Sequence, residues 1–226
     1  MAPDLVDKTH RGALLVIESI DRAGKTTQCD LLHKSLQNLQ HDVISMSFPE
    51  RSSLTGQVLD NYLKTGMPQV SDEALHVLFS ANRWEQVTFI RETLAKGTNI
   101  IIDRYVYSGI AYTAAKGYPL KWCTGSDTGL PEADALFFLD LHPTLSAKRP
   151  NFGQECFEDY SYQEKVYNIF KEIINREPTK WQCFDAKQPI DILHVQLLLA
   201  SINTLRFVNE YQPVLGKIDF CALVDN

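Results

Sequence analysis

The stretch ALLVIESIDRAGKTT, from Ala13 to Thr27, decides how this chain of 226 residues folds. Its first residues, Ala13 to Ile17, are a continuous apolar run of the kind that fills a strand buried on both faces. A glycine-containing loop follows. From Thr26 to Gln40 the chain then places Leu32, Leu36 and Leu39 on one helical face. Strand, loop and helix in this order around Ser19–Thr26 form the setting that a phosphate loop of the pattern GxxxxGK[ST] requires. Asp21, Arg22, Ala23, Gly24, Lys25, Thr26 and Thr27 would then face the phosphates of ATP, through backbone N–H groups and the helix N-terminus. The Lys25 ammonium would reach the β- and γ-phosphates, and the Thr26 hydroxyl would bind Mg²⁺. Ser19 stands where the pattern asks for glycine. A Cβ and a hydroxyl at a close backbone turn are expected to carry a cost.

Working outward, strands are predicted at Asp42–Phe48, Asn99–Ile102, Ala135–Leu139 and Trp181–Phe184. Helical segments separate them. One long helix is predicted over 71–96, opened by Ser71 with Asp72 and Glu73 in its first turn and closed by Gly97. Others fall at about 107–116, 143–148, 158–175 and 189–207. Alternating strands and helices predict an α/β fold, a five-stranded parallel sheet flanked by helices on both faces. Ligands in such folds sit at the carboxyl ends of the strands. Asp103, at the end of the third strand, fits a second Mg²⁺ ligand, with a strand-capping aspartate as the plainer alternative. No repeat or linker divides the chain, so one domain over 1–226 is expected, with flexible tails at 1–10 and 218–226.

A net charge of −6 argues against a general nucleic-acid binder but leaves room for a small anionic substrate, which needs only local positive charge. The five cysteines show neither a CxxC pair nor metal spacing. No apolar h-region opens the chain and no apolar run approaches the ~20 residues of a membrane span. The expectation is therefore a cytoplasmic protein without membrane contact, with nuclear and mitochondrial pools left open.

Five segments together resemble the thymidylate kinase family, close to its animal form, across about 11–220: IDRAGKTTQ at 20–28, FPERS at 48–52, LFSANRWEQ at 78–86, DRYVYSGIAY at 103–112 and GLPEADALFFLDL at 129–141. The resemblance implies a P-loop nucleoside monophosphate kinase fold and transfer of the γ-phosphoryl group of ATP to dTMP, with Mg²⁺. It implies that Arg51 and Arg104 grip the dTMP phosphate and that Phe79 stacks on thymine. Arg83, one helical turn later, would read the exocyclic oxygen of the base. Phe48 would line the sugar and base pocket, Asp21 would accept from the 3′-hydroxyl, and Tyr112 would lie against C2′. On the residues alone, the commoner fate of Phe79 and Tyr112 is core packing, and that of the arginines a solvated face.

By the same resemblance a lid at about 142–163 closes over ATP, with Arg149 against the adenine and Ala186 and Lys187 at its other edge. The expected catalytic residues are Asp21, Arg22, Lys25 and Arg104, with Arg22 reaching the transferring group from within the phosphate loop. Gln163 stands in its expected place. Phe157 stands where the family has tyrosine, and Cys156 where the animal form has arginine, so altered dTMP affinity is expected at Phe157. A homodimer is implied, through helices that include 71–96. A kinase for another nucleotide and a catalytically weakened relative remain as alternatives. A GTPase is disfavoured because no [NT]KxD segment occurs.

Overall fold

The computed structural model describes residues 10–66, 69–150 and 152–224. Its five strands are β1 (Leu14–Glu18), β2 (Val43–Ser47), β3 (Asn99–Asp103), β4 (Ala135–Asp140) and β5 (Trp181–Asp185). All pair in parallel, in the order β2-β3-β1-β4-β5. β1 is central, with Leu14 opposite Ile100 of β3 and Leu15 opposite Ala135 of β4. Every residue of β1 and β3 is buried. A strand buried on both sides needs a covering layer on each, and helices supply both. They are α1 (Lys25–Asn38), α2 (Leu54–Thr65), α3 (Asp72–Glu85), α4 (Val87–Ala95), α5 (Val106–Ala114), α6 (Leu120–Thr124), α7 (Pro143–Ser146), α8 (Tyr160–Arg176), α9 (Ile190–Tyr211) and α10 (Cys221–Val224). α1 packs with α9, and α5 packs with both α3 and α8.

Four expectations need correction. The helix predicted over 71–96 is two, because Gln86 turns its N–H back to Arg83 O at 3.1 Å and takes φ −92°, ψ −5°. α2 was not foreseen, although Ser53 caps it by accepting from Gly56 N and Gly66 ends it in the left-handed region. The expected tail at 218–226 is packed over 218–224. There Ile218, Phe220 and Leu223 are buried, and Lys217 bridges Pro131. Residues 1–9 of the other expected tail, and 225–226, lie outside the described residues. Finally, α9 is long and apolar enough by length and composition to cross a membrane. Here it is a layer of the fold, burying Leu193, Leu197, Leu205 and Val208 beside α1, β4 and β5.

Candidate active site

The strands β1 and β3 end side by side, and the functional side chains gather at their carboxyl ends. After Glu18 the chain turns through Gly24, which stands at the start of α1 with φ 101°. That backbone favours glycine, and a Cβ there would lie 3.2 Å from Arg149 Nη1. Ser19 is buried, but its hydroxyl donates to Leu139 O at 2.6 Å, so the cost expected of it is offset by a bond from the start of the phosphate loop to β4. Lys25 is buried too, its Nζ donating to Ile20 O at 2.6 Å and Ser19 O at 3.3 Å. Burial, helped by the nearby Arg104 charge, brings its pKa down to about 8.

Thr26 Oγ1 donates to Asp103 Oδ2 at 2.7 Å, joining the two residues expected at the metal. Asp103 Oδ1 is buried with no hydrogen-bond partner. A carboxylate oxygen left over beside a hydroxyl suits Mg²⁺, which takes oxygen ligands and retains several waters. Among the described residues no cluster of three His, Cys, Asp or Glu stands ready for a metal. The rest of the shell would therefore come from phosphates and water.

Asp21 is the centre of a half-buried polar network. It pairs with Arg104 Nη2 through Oδ1 and accepts from Gln163 Nε2 at 2.6 Å through Oδ2. Gln163 Oε1 in turn accepts from Asp21 N at 2.8 Å, and its Nε2 also donates to Phe157 O at 2.9 Å. Burial alone would raise the Asp21 pKa. The charges of Arg104 and Lys25, with hydrogen bonds from Tyr112 and Gln163, reverse this and hold it below the usual range. Arg104 has φ 67°, left-handed for a non-glycine residue, and its Nη1 also donates to Ser19 O at 3.1 Å. Its carbon Cζ sits 5.5 Å from the centre of the Tyr112 ring.

Two lid carboxylates hold two further arginines. Arg22 Nε donates to Glu158 Oε1 at 2.6 Å, while Glu158 Oε2 accepts from Gly153 N and Gln154 N. Arg51 bonds Glu155 at 2.7 Å and Asp60 at 2.6 Å. All three arginines expected to meet phosphates are thus held by acids, Arg22 by Glu158, Arg51 by Glu155 and Asp60, and Arg104 by Asp21. Phe157 stacks on Tyr162 at 5.4 Å, faces Tyr112 and Tyr62, and lies beneath Lys116 Nζ. Cys156 N donates to Leu63 O, tying the lid to α2.

Two cavities open on the phosphate loop. The first, about 260 Å³, is lined by Asp21, Thr26, Phe48, Arg51, Phe79, Arg83, Asp103, Arg104, Tyr112 and Phe157 among others. It gathers most of the residues expected to bind dTMP. Gln163, Arg22 and Lys25 stand outside its lining. The second, about 360 Å³, is lined by Ala23, Gly24, Thr27, Arg149 and Ala186, with Gln28, Gln188 and Ile190. Arg149 bridges its rim, donating to Arg22 O at 2.8 Å and Ala186 O at 3.4 Å. Lys187 is exposed and does not line it.

Some residues escaped sequence reasoning. Glu18, Asp127, Glu155, Glu158 and Lys116 have no local pattern, since their partners lie far along the chain. Only Glu18 had a signal, as an acid ending an otherwise apolar strand.

The comparisons with known proteins agree with this geometry. A family model described as thymidylate kinase matches residues 17–197. The chain is 40% identical to the thymidylate kinase of Danio rerio over 206 residues, 91% of this chain and 96% of that one. It is also 40% identical to that of Homo sapiens over 202 residues, 89% and 95% of the two. The solved structure of thymidylate kinase from Candida albicans matches with a TM-score of 0.83 at 35% identity, covering 93% of this chain and 100% of that one. Fold, phosphate loop and sequence thus converge, and the chain belongs to the thymidylate kinase family.

Proposed function

We propose that the chain transfers the γ-phosphoryl group of ATP to dTMP, giving dTDP and ADP, with the ATP in the second cavity and dTMP in the first. One observation carries this: a single short stretch, 21–27, lines both cavities, with Asp21 and Thr26 in the first and Ala23, Gly24 and Thr27 in the second. Two phosphate chains entering from opposite sides would meet there in line. The attacking phosphate oxygen of dTMP is ionised at neutral pH, so no catalytic base is needed. Positioning and charge neutralisation do the work. Arg104 and Arg51 would take the acceptor phosphate, and Lys25 the β- and γ-phosphates. Thr26 and Asp103 would hold Mg²⁺, which supplies positive charge to the phosphate oxygens when bound.

Arg22 is assigned to the transferring group, after exchanging Glu158 for phosphate oxygens. A contact made chiefly in the transition state lowers kcat and kcat/KM together when it is removed. Arg22→Gly is expected to lower kcat at least about 10²-fold, with both KM values within a few-fold. A near-normal kcat at saturation, with a raised and salt-sensitive KM for ATP, would sink the assignment.

The reading extends to a homodimer, supported by the apolar surface that α2 and α3 expose together through Leu54, Val58 and Val77. It extends also to a cytoplasmic location, supported by an odd number of cysteines, five, with no CxxC pair among them.

A further inference from the structure

The base end of the acceptor cavity contains a buried charge pair. Arg83 Nε donates to Asp127 Oδ1 at 3.0 Å, and Nη2 donates to Asp127 Oδ2 at 2.6 Å. The Arg83 side chain is 3% exposed and that of Asp127 0%. A carboxylate that binds one edge of a guanidinium sets the plane of the whole group. Two of its five N–H bonds are then spent, and the remaining donors are those on the other edge. Arg83 lines the cavity; Asp127 does not.

Asp127 is itself pinned. Ser80 Oγ lies 2.8 Å from Asp127 Oδ1 and 2.9 Å from Ser126 O, and Trp84 Nε1 donates to Ser126 O at 2.8 Å. One face of α3 therefore grips the short turn Gly125–Asp127 while presenting Arg83 between them. On the far side α5 allows no slack, since a Cβ on Gly109 would lie 2.7 Å from Arg83 Nη2.

We infer that Asp127 is the positioning residue for base selection. It clamps Arg83 so that the guanidinium presents its free donor edge to the cavity in one fixed orientation, in a pair whose net charge is zero. The assignment rests on the reading that Arg83 faces the base of dTMP. A neutral donor wall accepts an uncharged ring carrying an oxo group. It gives no attraction to a phosphate, so the nucleotide enters with its phosphate toward Arg104 and Arg51. A ring carrying an amino group meets donor against donor, which discriminates strongly in a buried site. Released from Asp127, Arg83 would regain free charge and alternative orientations, and the wall would lose its neutrality and its fixed direction.

The test is the ratio of kcat/KM for dTMP to that for dCMP, with the KM of ATP measured alongside. In Asp127→Asn the ratio is expected to fall about tenfold or more, chiefly through a higher KM for dTMP, while the KM of ATP stays within twofold. A role in folding alone would lower the amount of active protein without moving that ratio. Leaving a buried guanidinium without its counter-charge endangers folding. Ser80→Ala is therefore measured too, because it deletes one anchor of the same carboxylate and no charge, and a fall of about threefold is expected. A ratio unchanged in whichever variant folds overturns the assignment. Arg83→Lys separates the two levels of the argument. If it too leaves the ratio unchanged, Arg83 does not read the base at all. If it lowers the ratio while the Asp127 and Ser80 variants do not, Arg83 reads the base without needing Asp127.

Discussion

Lys25 is an ammonium placed where burial opposes its charge, and its titration reports on the ligand it awaits. In the folded chain its pKa is lowered to about 8 from an ordinary 10.5. The unfolded chain therefore binds more protons between these values, so this group makes stability rise with pH across that window. ATP phosphates beside Nζ favour the charged form and restore the pKa. Above pH 8, ATP binding should accordingly take up a proton and weaken as pH rises. Calorimetry near pH 9 in two buffers of different ionisation heat is expected to show uptake approaching one proton. At pH 7 the uptake should vanish, and Lys25→Arg should lack it at both pH values. Equal uptake by Lys25→Arg would assign the proton elsewhere. Ser19, by contrast, shows a local departure absorbed by its surroundings: the hydroxyl that looked obstructive in the sequence finds Leu139 O.

Among the elements, α5 begins without a capping side chain of its own. Glu18, the last residue of β1, accepts from the backbone N–H groups of Tyr105 and Ser108 at 2.9 and 3.1 Å, and from Ser108 Oγ at 2.5 Å. A carboxylate at a helix N-terminus satisfies donors that the helix leaves open. It also joins the phosphate loop to the segment that carries Arg104. Burial is the largest influence on Glu18 and raises its pKa above 4.5, against the lowering effect of these hydrogen bonds and of Arg104. The sign follows from linkage: its contribution to stability is full below about 4.5 and is lost as pH rises through the raised folded value. Glu18→Gln removes this titration. Relative to the unmodified chain, its melting temperature should improve as pH rises from about 4.5 to 8, whatever constant offset the changed hydrogen bonds add. A difference that stays constant across that range would show that Glu18 does not titrate as described. α3 and α4 illustrate the opposite dependence: no glycine or proline marks the break at Gln86.

At the scale of the whole molecule, the exposed apolar surface is concentrated on helices. Leu54 is 84% exposed, and Val77 53%. α2 and α3 pack against each other, and we assign the exposed Leu54, Val58 and Val77 that they carry to the surface a second copy would cover. Sedimentation at micromolar concentration is expected to give a dimer, and Val77→Glu a shift toward monomer through an unpaired buried charge. A Val77→Glu protein sedimenting as the unmodified chain does would place the interface elsewhere. The same two helices hold Arg51, through Asp60, and Arg83, so association would also stiffen the acceptor cavity.

The sequence by itself determined the sheet and the phosphate loop. Both are written in contiguous residues: the apolar runs Leu14–Ile17 and Ile100–Ile102 fit buried strands, and Gly24-Lys25-Thr26 after the first of them fits a helix opening toward phosphate. The resemblance then named Arg51, Phe79, Arg83, Arg104 and Tyr112, and the fold brings all of them to one cavity. The partners of those residues were decided by tertiary structure alone. Asp127 meets Arg83 across 44 positions, Glu158 meets Arg22 across 136, and Gln163 meets Asp21 across 142. No periodicity links such pairs. Burial selects them, because an ionised group drawn away from water must find a counter-charge or a hydrogen-bond partner wherever the folded chain brings one within reach.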